Sequence, residues 1–311
     1  MMNSVVKEKG KEKKSRTGRT NNSRLRPWIY VGPHLLLFLI FGMIPLVYGI
    51  YISLTQWDMV GTANFVGLQN YKEILFNTSS TFHTQFFSGL KNTLIYVVIS
   101  VPCFIVFPLL IALALNAKPK GVTLFQSIFY VPGLFSISAV SIIWMLVFNK
   151  RLGPISNVFG SNANWFTEQP YAWIVILVVS IWWGVGGNMV IYRAALNGIS
   201  RDLYEAADID GAGSFRKFFS ITLPSIKFQL LYTFVMTTIG SFNIYGQPVM
   251  LTNGGPTQST TVLMMYIRNL AFGSGQSVAG MASAMAVLLG IVMVIISAFQ
   301  FVLLNRDSTK G

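Results

Sequence analysis

Four carboxylates, Asp202, Glu205, Asp208 and Asp210, stand within one short stretch whose core reads LYEAADIDGAGSFRKFFSITLP over 203–224. Ser200 is a good helix N-cap, and Asp202 and Glu205 place negative charge in the first turns, where the helix dipole favours it. Leu203, Ala206, Ala207 and Asp210 recur at i, i+3, i+4 and i+7, so one face is small and mostly apolar. Two adjacent alanines let another surface come close. Gly211 can take the positive φ that ends the helix. A second short segment, 214–220, sets Phe215, Phe218 and Phe219 against Arg216 and Lys217, and Pro224 suits the first turn of a following helix. The spacing predicts two short helices at a right-angled turn. An acidic helix is repelled by an anionic lipid leaflet, so the chemistry on offer is docking against a protein.

Catalytic and metal-binding patterns are missing. No G-x-x-x-x-G-K-[ST], H-E-x-x-H or C-x-x-C occurs. His34 and His83 fall in different segments and cannot make a metal site alone. Gly211-Ala212-Gly213 faintly resembles a dinucleotide loop, but it follows a helix and Arg216 stands at the third glycine position. Cys103 is the single cysteine, so no disulfide forms within the chain and the residue reads as a small apolar packer.

The elements that hold these residues are membrane helices. Charged residues make up 11% of the 311, against roughly 25% in an average soluble domain, while 53% are hydrophobic and mean hydropathy is +0.56. A helix crossing the bilayer core needs about 20 apolar residues. Apolar runs of that length predict six spans near 29–53, 92–116, 123–148, 171–193, 227–251 and 279–304. The run after 251 opens with TNGGPTQSTT, which is turn chemistry and would leave backbone groups unsatisfied in lipid. Lysine and arginine fix the orientation: eighteen fall on the side of the termini and of 193–227, and five on the other. Both termini and the acidic stretch are therefore expected to be cytoplasmic. The basic tail to Pro27 reads as a disordered segment near anionic lipid heads, not as a nucleic-acid-binding arm. The first span is too long for a signal-peptide core and stays as an anchor.

No Asp or Glu falls inside the proposed spans. Ion- and proton-driven carriers keep ionisable relays there, and a membrane enzyme would need an interfacial catalytic cluster. Both classes are disfavoured. If this chain moves something, the energy comes from elsewhere.

Glu205-Ala206-Ala207, three residues, Gly211, nine residues and Ile221-x-Leu223-Pro224 resembles the EAA loop of binding-protein-dependent ABC importer permeases. All seven fixed positions agree. The resemblance implies that this loop, 196–226, docks into a groove on an ATP-hydrolysing subunit and transmits its movement. Glu205 would pair with a basic residue there, Ala206 and Ala207 would allow close approach, and Gly211 would set the turn. The family often has proline just before the helix; Ser200 stands here and caps equally well. FVGLQNYKEIL, LKNTLIYVVISVP and SFNIYGQPVMLTNGGPTQSTT are similar to segments of sugar-importer permeases of the maltose and glycerol-phosphate type. The likeness covers nearly all of 29–304, without the extra N-terminal spans and large outer domain of the longest maltose-type members.

In those permeases, residues of the spans flanking the coupling loop line the substrate path. The matching stretches are IWWGVGGNMVIY and TFVMTTIGSFNIY. Thr233, Thr237, Ser241 and Tyr245 recur every four residues and would make one polar stripe. Trp182 and Trp183 offer flat faces for sugar rings, Gly184, Gly186 and Gly187 leave room, and Asn188 and Asn243 could bond hydroxyls. Helix packing is the competing role for all of them.

The sequence thus predicts an all-α membrane protein: a cytoplasmic tail over 1–27, a six-span transmembrane domain over 28–305 and a short cytoplasmic tail over 306–311. The resemblance implies the permease subunit of an ABC importer for a carbohydrate, with an oligosaccharide preferred, in a bacterial cell membrane. It is not an enzyme, and ATP and Mg would be bound by partners. Those partners are a second homologous permease, two ATP-binding subunits and an extracytoplasmic solute-binding protein. A glycerol-phosphate or other polar-solute importer is the alternative, and the lack of a mid-membrane cation argues against an anionic substrate.

Overall fold

The computed structural model describes residues 22–159, 163–273 and 278–305. The chain forms two compact units, one ending at Gly49 and one starting at Ile50. A long helix begins the described chain: α1 (Asn22–Phe38) passes through a π turn, Leu39–Met43, into α2 (Ile44–Ser53). Trp28–Ser53 is long and apolar enough to cross a bilayer. Its large apolar side chains from Trp28 to Tyr48 are mostly exposed, which suits lipid. The helix starts inside the expected basic tail; residues 1–21 and 306–311 lie outside the described residues.

The second unit opens with a two-stranded antiparallel ribbon, β1 (Thr55–Gln56) and β2 (Asn64–Phe65), with Thr55 opposite Phe65. Helices follow: α3 (Gln69–Phe76), α4 (Thr81–Asn116), α5 (Val122–Tyr130), α6 (Ile137–Val147), α7 (Pro154–Phe159), α8 (Tyr171–Asn197), α9 (Arg201–Ile209) and α10 (Ser214–Lys217). A π turn, Phe218–Thr222, leads to α11 (Leu223–Ser225), α12 (Lys227–Phe242), α13 (Gly246–Thr252), α14 (Leu263–Phe272) and α15 (Ala279–Asn305). α4 packs on α8, α12 and α14, and α15 on α12 and α14.

Four described helices can cross a membrane by length and composition: Trp28–Ser53, Thr81–Asn116, Tyr171–Asn197 and Ala279–Val302. Two more spans exist only if bent pairs are each counted as one. Val122–Leu134 and Ile137–Val147 meet at 106°, and Ser214–Ser225 and Lys227–Phe242 at 68°.

This corrects three expected boundaries. The span expected over 123–148 is not one helix. Pro132 lies in a 3₁₀ turn, Val131–Leu134, and the Ser136 side chain accepts from the Ala139 N–H to cap α6. The span expected over 227–251 stops at Phe242, and Asn243–Tyr245 separate it from α13. The span expected over 92–116 is longer, because Ser80 caps the Phe82 N–H and the polar stretch after it is already helical.

Three apolar clusters hold the second unit. One joins Ile74, Phe86, Phe242, Leu263 and Met285. Another joins Tyr96, Val140, Val175, Val179 and Leu251. The third joins Leu109, Ala112, Met189, Tyr192 and Ile226. Small residues let backbones approach in each direction. A Cβ on Gly89 would stand 2.8 Å from Leu263 Cα, and one on Gly186 would stand 2.7 Å from Phe129 O and Tyr130 Cα.

Candidate functional site

A cavity of about 430 Å³ opens where α4, α8 and α12 meet the break before α13. α8 contributes Trp183, Gly184, Gly187 and Asn188, and α12 contributes Thr237, Gly240 and Ser241. The break and the start of α13 add Asn243, Ile244, Tyr245, Gly246 and Gln247. Tyr96, Phe104 and Ile137 complete the wall. The lining holds no carboxylate, ammonium, guanidinium or imidazole, so it is aromatic, neutral and hydrogen-bonding.

Local chemistry explains the placement. Pro108 has no N–H, so the Phe104 carbonyl one turn before it loses its helical donor. Asn188 Nδ2 replaces that donor, at 2.9 Å from Phe104 O, and also donates to Thr237 Oγ1 at 3.0 Å. The bend before α6 frees the Phe135 carbonyl, and Trp183 Nε1 donates to it at 3.0 Å. Two cavity residues therefore repair two backbone defects. Gly184 is tight, since a Cβ there would stand 2.7 Å from Phe104 Cε1, whereas Gly187 and Gly240 have nothing within 4 Å. The glycines that make room for something other than protein are Gly187 and Gly240.

Of the path residues expected from the sequence, Trp183, Gly187, Asn188, Thr237, Ser241, Asn243 and Tyr245 line this one cavity. Trp182 is not among them. Consecutive helical residues point about 100° apart, and Trp182 packs edge-on against Trp144 with ring centroids 5.5 Å apart. The expected four-residue stripe is also divided. Thr233 is buried, bonded to Tyr192 Oη at 2.6 Å and to its own helix at Gln229 O, 2.8 Å. Ser241 is buried against Ser100, 3.4 Å away, and Tyr245 lies beyond the end of α12. Tyr96, Phe104 and Gln247 had no signal in the sequence. Only the packing of α4 and α13 brings them in.

The acidic stretch forms α9 as one short helix, but the second segment, expected over 214–220, runs on through the π turn to Ser225. Ser200 Oγ accepts from the Asp202 N–H at 3.3 Å, and Gly211 has φ +70°. The Ala212 N–H reaches Ala207 O at 2.9 Å and closes α9. Tyr204 Oη bonds Thr222 Oγ1 at 2.9 Å, and Lys217 Nζ pairs with Asp208 at 2.6 Å, so α9 is tied to the segment after it. Glu205 and Ala206 are exposed, Ala207 is half-buried, and Glu205 has no ion-pair partner among the described residues. Leu203, Ile209, Phe215 and Phe219 are exposed around them. Ile221 and Leu223 are half-buried. Pro224 is exposed and sits in α11; the chain bends at Ile226 before α12 starts, so Pro224 precedes the long helix instead of opening it.

The fold and this site define a class, the helical membrane component of a transport system. Residues 78–308 match the binding-protein-dependent transport system inner membrane component family, and the chain belongs to it. It is 32% identical to the multiple sugar-binding transport system permease protein MsmF of Streptococcus mutans, over 90% of this chain and 95% of that protein. Identity to the lactose transport system permease protein LacF of Rhizobium radiobacter is 31%, over 88% of this chain and 92% of the other. A chain in the crystal structure of a bacterial alginate ABC transporter, in complex with an alginate pentasaccharide-bound periplasmic protein, has the same fold. There the TM-score is 0.76 at 23% identity, over 94% of this chain and 99% of that one. These homologues are transport permeases, not enzymes.

Proposed function

We propose that this chain is the membrane-spanning permease subunit of an ATP-driven importer for a carbohydrate, with an oligosaccharide as the substrate class. The cavity carries the reading. It sets the rings of Trp183, Tyr96 and Tyr245 beside the neutral polar groups of Asn188, Asn243, Gln247, Thr237 and Ser241. Aromatic faces pack against the apolar faces of sugar rings, and amides and hydroxyls bond their hydroxyl edges. A phosphate or carboxylate substrate would want a cation, and the lining holds none. The relatives named for lactose and multiple sugars support the same substrate class.

With six spans, each bent pair counted as one, the lysine and arginine bias would leave both termini and the connection through α9 on the cytoplasmic side, with α10 and α11 leading into the fifth span. The connection is then the coupling element. Its exposed Glu205 and Ala206 meet an ATP-binding subunit, and closure of two such subunits switches the cavity between outward- and inward-facing states. ATP and Mg belong to those subunits. A second, similar permease completes the membrane part, and an extracytoplasmic binding protein delivers the sugar.

Reconstitution tests this. The chain is co-expressed with the genes beside its own, and uptake into proteoliposomes is measured for radiolabelled lactose, arabinotriose, maltotriose and glycerol 3-phosphate. ATP-dependent uptake of a neutral sugar is expected; uptake of glycerol 3-phosphate alone overturns the substrate class. Glu205→Lys is expected to insert at normal abundance, lose uptake and weaken ATPase association. Partial recovery from a reversed charge in the ATPase groove would support direct pairing. Normal transport by Glu205→Lys would remove α9 as the coupling element.

A further inference from the structure

We infer that Arg268, outside the cavity lining, is a positioning residue for the substrate path: it holds the Tyr245 ring in place as part of the cavity wall. The inference rests on the cavity being the sugar path. Tyr245 needs such a hold. It lies in the break between α12 and α13, with φ −147° and ψ −51°, where no regular helix fixes the direction of its side chain. The ring is half-buried and faces a space that is empty of protein.

Arg268 reaches it from α14. Its Nη1 donates to Tyr245 Oη at 2.5 Å, and its Cζ lies 5.1 Å from the centre of the same ring. One guanidinium therefore gives a hydrogen bond and a cation–ring contact to one side chain. A planar fork can do both, while an ammonium acts as a point charge. The base of the lever is firm. α14 buries Leu263, Met265, Tyr266 and Ala271, and the Leu263 N–H donates to Thr93 Oγ1 at 3.0 Å. Arg268 has no carboxylate partner among the described residues, where the ion pair is Lys217–Asp208. Among the described residues its side-chain hydrogen bond is to the tyrosine. The arginine thus couples the α4–α14 packing to a wall residue in the one part of the cavity that lacks helical support.

The test reads the ring directly and needs no sugar. 3-Fluorotyrosine is incorporated at position 245 of the full transporter complex, and its ¹⁹F resonance is recorded in detergent. With Arg268 present a single broad resonance shifted from that of free fluorotyrosine is expected. Arg268→Gln and Arg268→Lys should both move it toward the free position and narrow it. An unchanged resonance in Arg268→Gln overturns the proposal, and an unchanged resonance in Arg268→Lys overturns the part assigned to the guanidinium plane. In proteoliposomes, with whichever of lactose, arabinotriose or maltotriose the parent complex carries, Arg268→Gln should raise KM about 2- to 10-fold and leave Vmax within about twofold. That range corresponds to the ordering of one side chain. A fall in Vmax at constant KM assigns Arg268 a structural role and overturns the proposal. If none of these sugars is carried, the carbohydrate reading fails while the resonance still decides the role of Arg268.

Discussion

α4 and the α12–α13 segment both meet the cavity, yet one is continuous and the other is broken. α4 runs 36 residues unbroken although it contains Pro102 and Pro108. The α12–α13 segment has no internal proline before its break and still ends its long helix at Phe242. Proline content does not decide continuity. At Pro108 and after α12 the freed backbone groups find different partners. At Pro108 the orphaned Phe104 carbonyl finds a replacement donor in Asn188 on α8. After α12 the Asn243 and Ile244 N–H groups close tight turns onto Gly240 and Ser241, and the chain then lines a cavity. Irregular backbone at membrane depth is tolerated where protein groups or a polar cavity satisfy it. α8 stands between the two cases, because it repairs α4 through Asn188 and the bend before α6 through Trp183.

The comparison can be broken most sharply at two neighbouring glycines of α8. Gly187→Leu points into open space, so normal abundance and near-complete loss of uptake are expected from a filled cavity. Gly186→Ala pushes a Cβ against the Phe129 and Tyr130 backbone, which has no rotamer to yield, and should cost about 1–3 kcal/mol. Thermal melting of the purified complex and membrane abundance check both. Equal stability of Gly186→Ala and the parent would mean that α5 does not approach α8 as described.

The repair at Pro108 gives a cycle of about 1 kcal/mol. Asn188→Leu leaves the Phe104 carbonyl unpaired and is expected to destabilise by about 1–3 kcal/mol. Pro108→Ala returns a backbone donor to that carbonyl, so the double variant should recover about 1 kcal/mol relative to Asn188→Leu. Additive losses would show that Asn188 stabilises α4 by another route. The smallest effect belongs to the tryptophan pair. Trp182→Phe keeps the edge contact with Trp144 outside the cavity and should leave uptake within about twofold, while Trp183→Phe loses the bond to Phe135 O and about 1 kcal/mol of stability. Loss of uptake in Trp182→Phe would place that ring on the path after all.

Local chemistry was legible in residues 200–211. Ser200, Asp202, Ala207 and Gly211 act on neighbours within a few positions, so the cap, the charge at the helix start and the left-handed stop could be read without knowing what lies nearby. The apolar runs were legible too, because bilayer thickness sets the length of a span. The periodic stripe was only partly so. Spacing by four gives one face while the helix lasts, and it sets Thr237 and Ser241 together at the cavity. It could not say that the helix ends at Phe242, that Thr233 turns to Tyr192, or that Tyr245 is held by a residue 23 positions further on.

By itself, then, the sequence determined which runs are long and apolar enough to span a bilayer, where the acidic helix starts and stops, and that no Asp or Glu falls inside those runs. Tertiary structure alone decided which helices bend, which glycines are tight and which are open, and that Tyr96, Phe104 and Gln247 join the cavity. The physical reason is the range of the interactions. Burial length, capping and helix period are properties of adjacent residues. The fate of an orphaned carbonyl, or of the space beside a glycine, is set by a partner from another helix, and its identity exists only once the helices have packed.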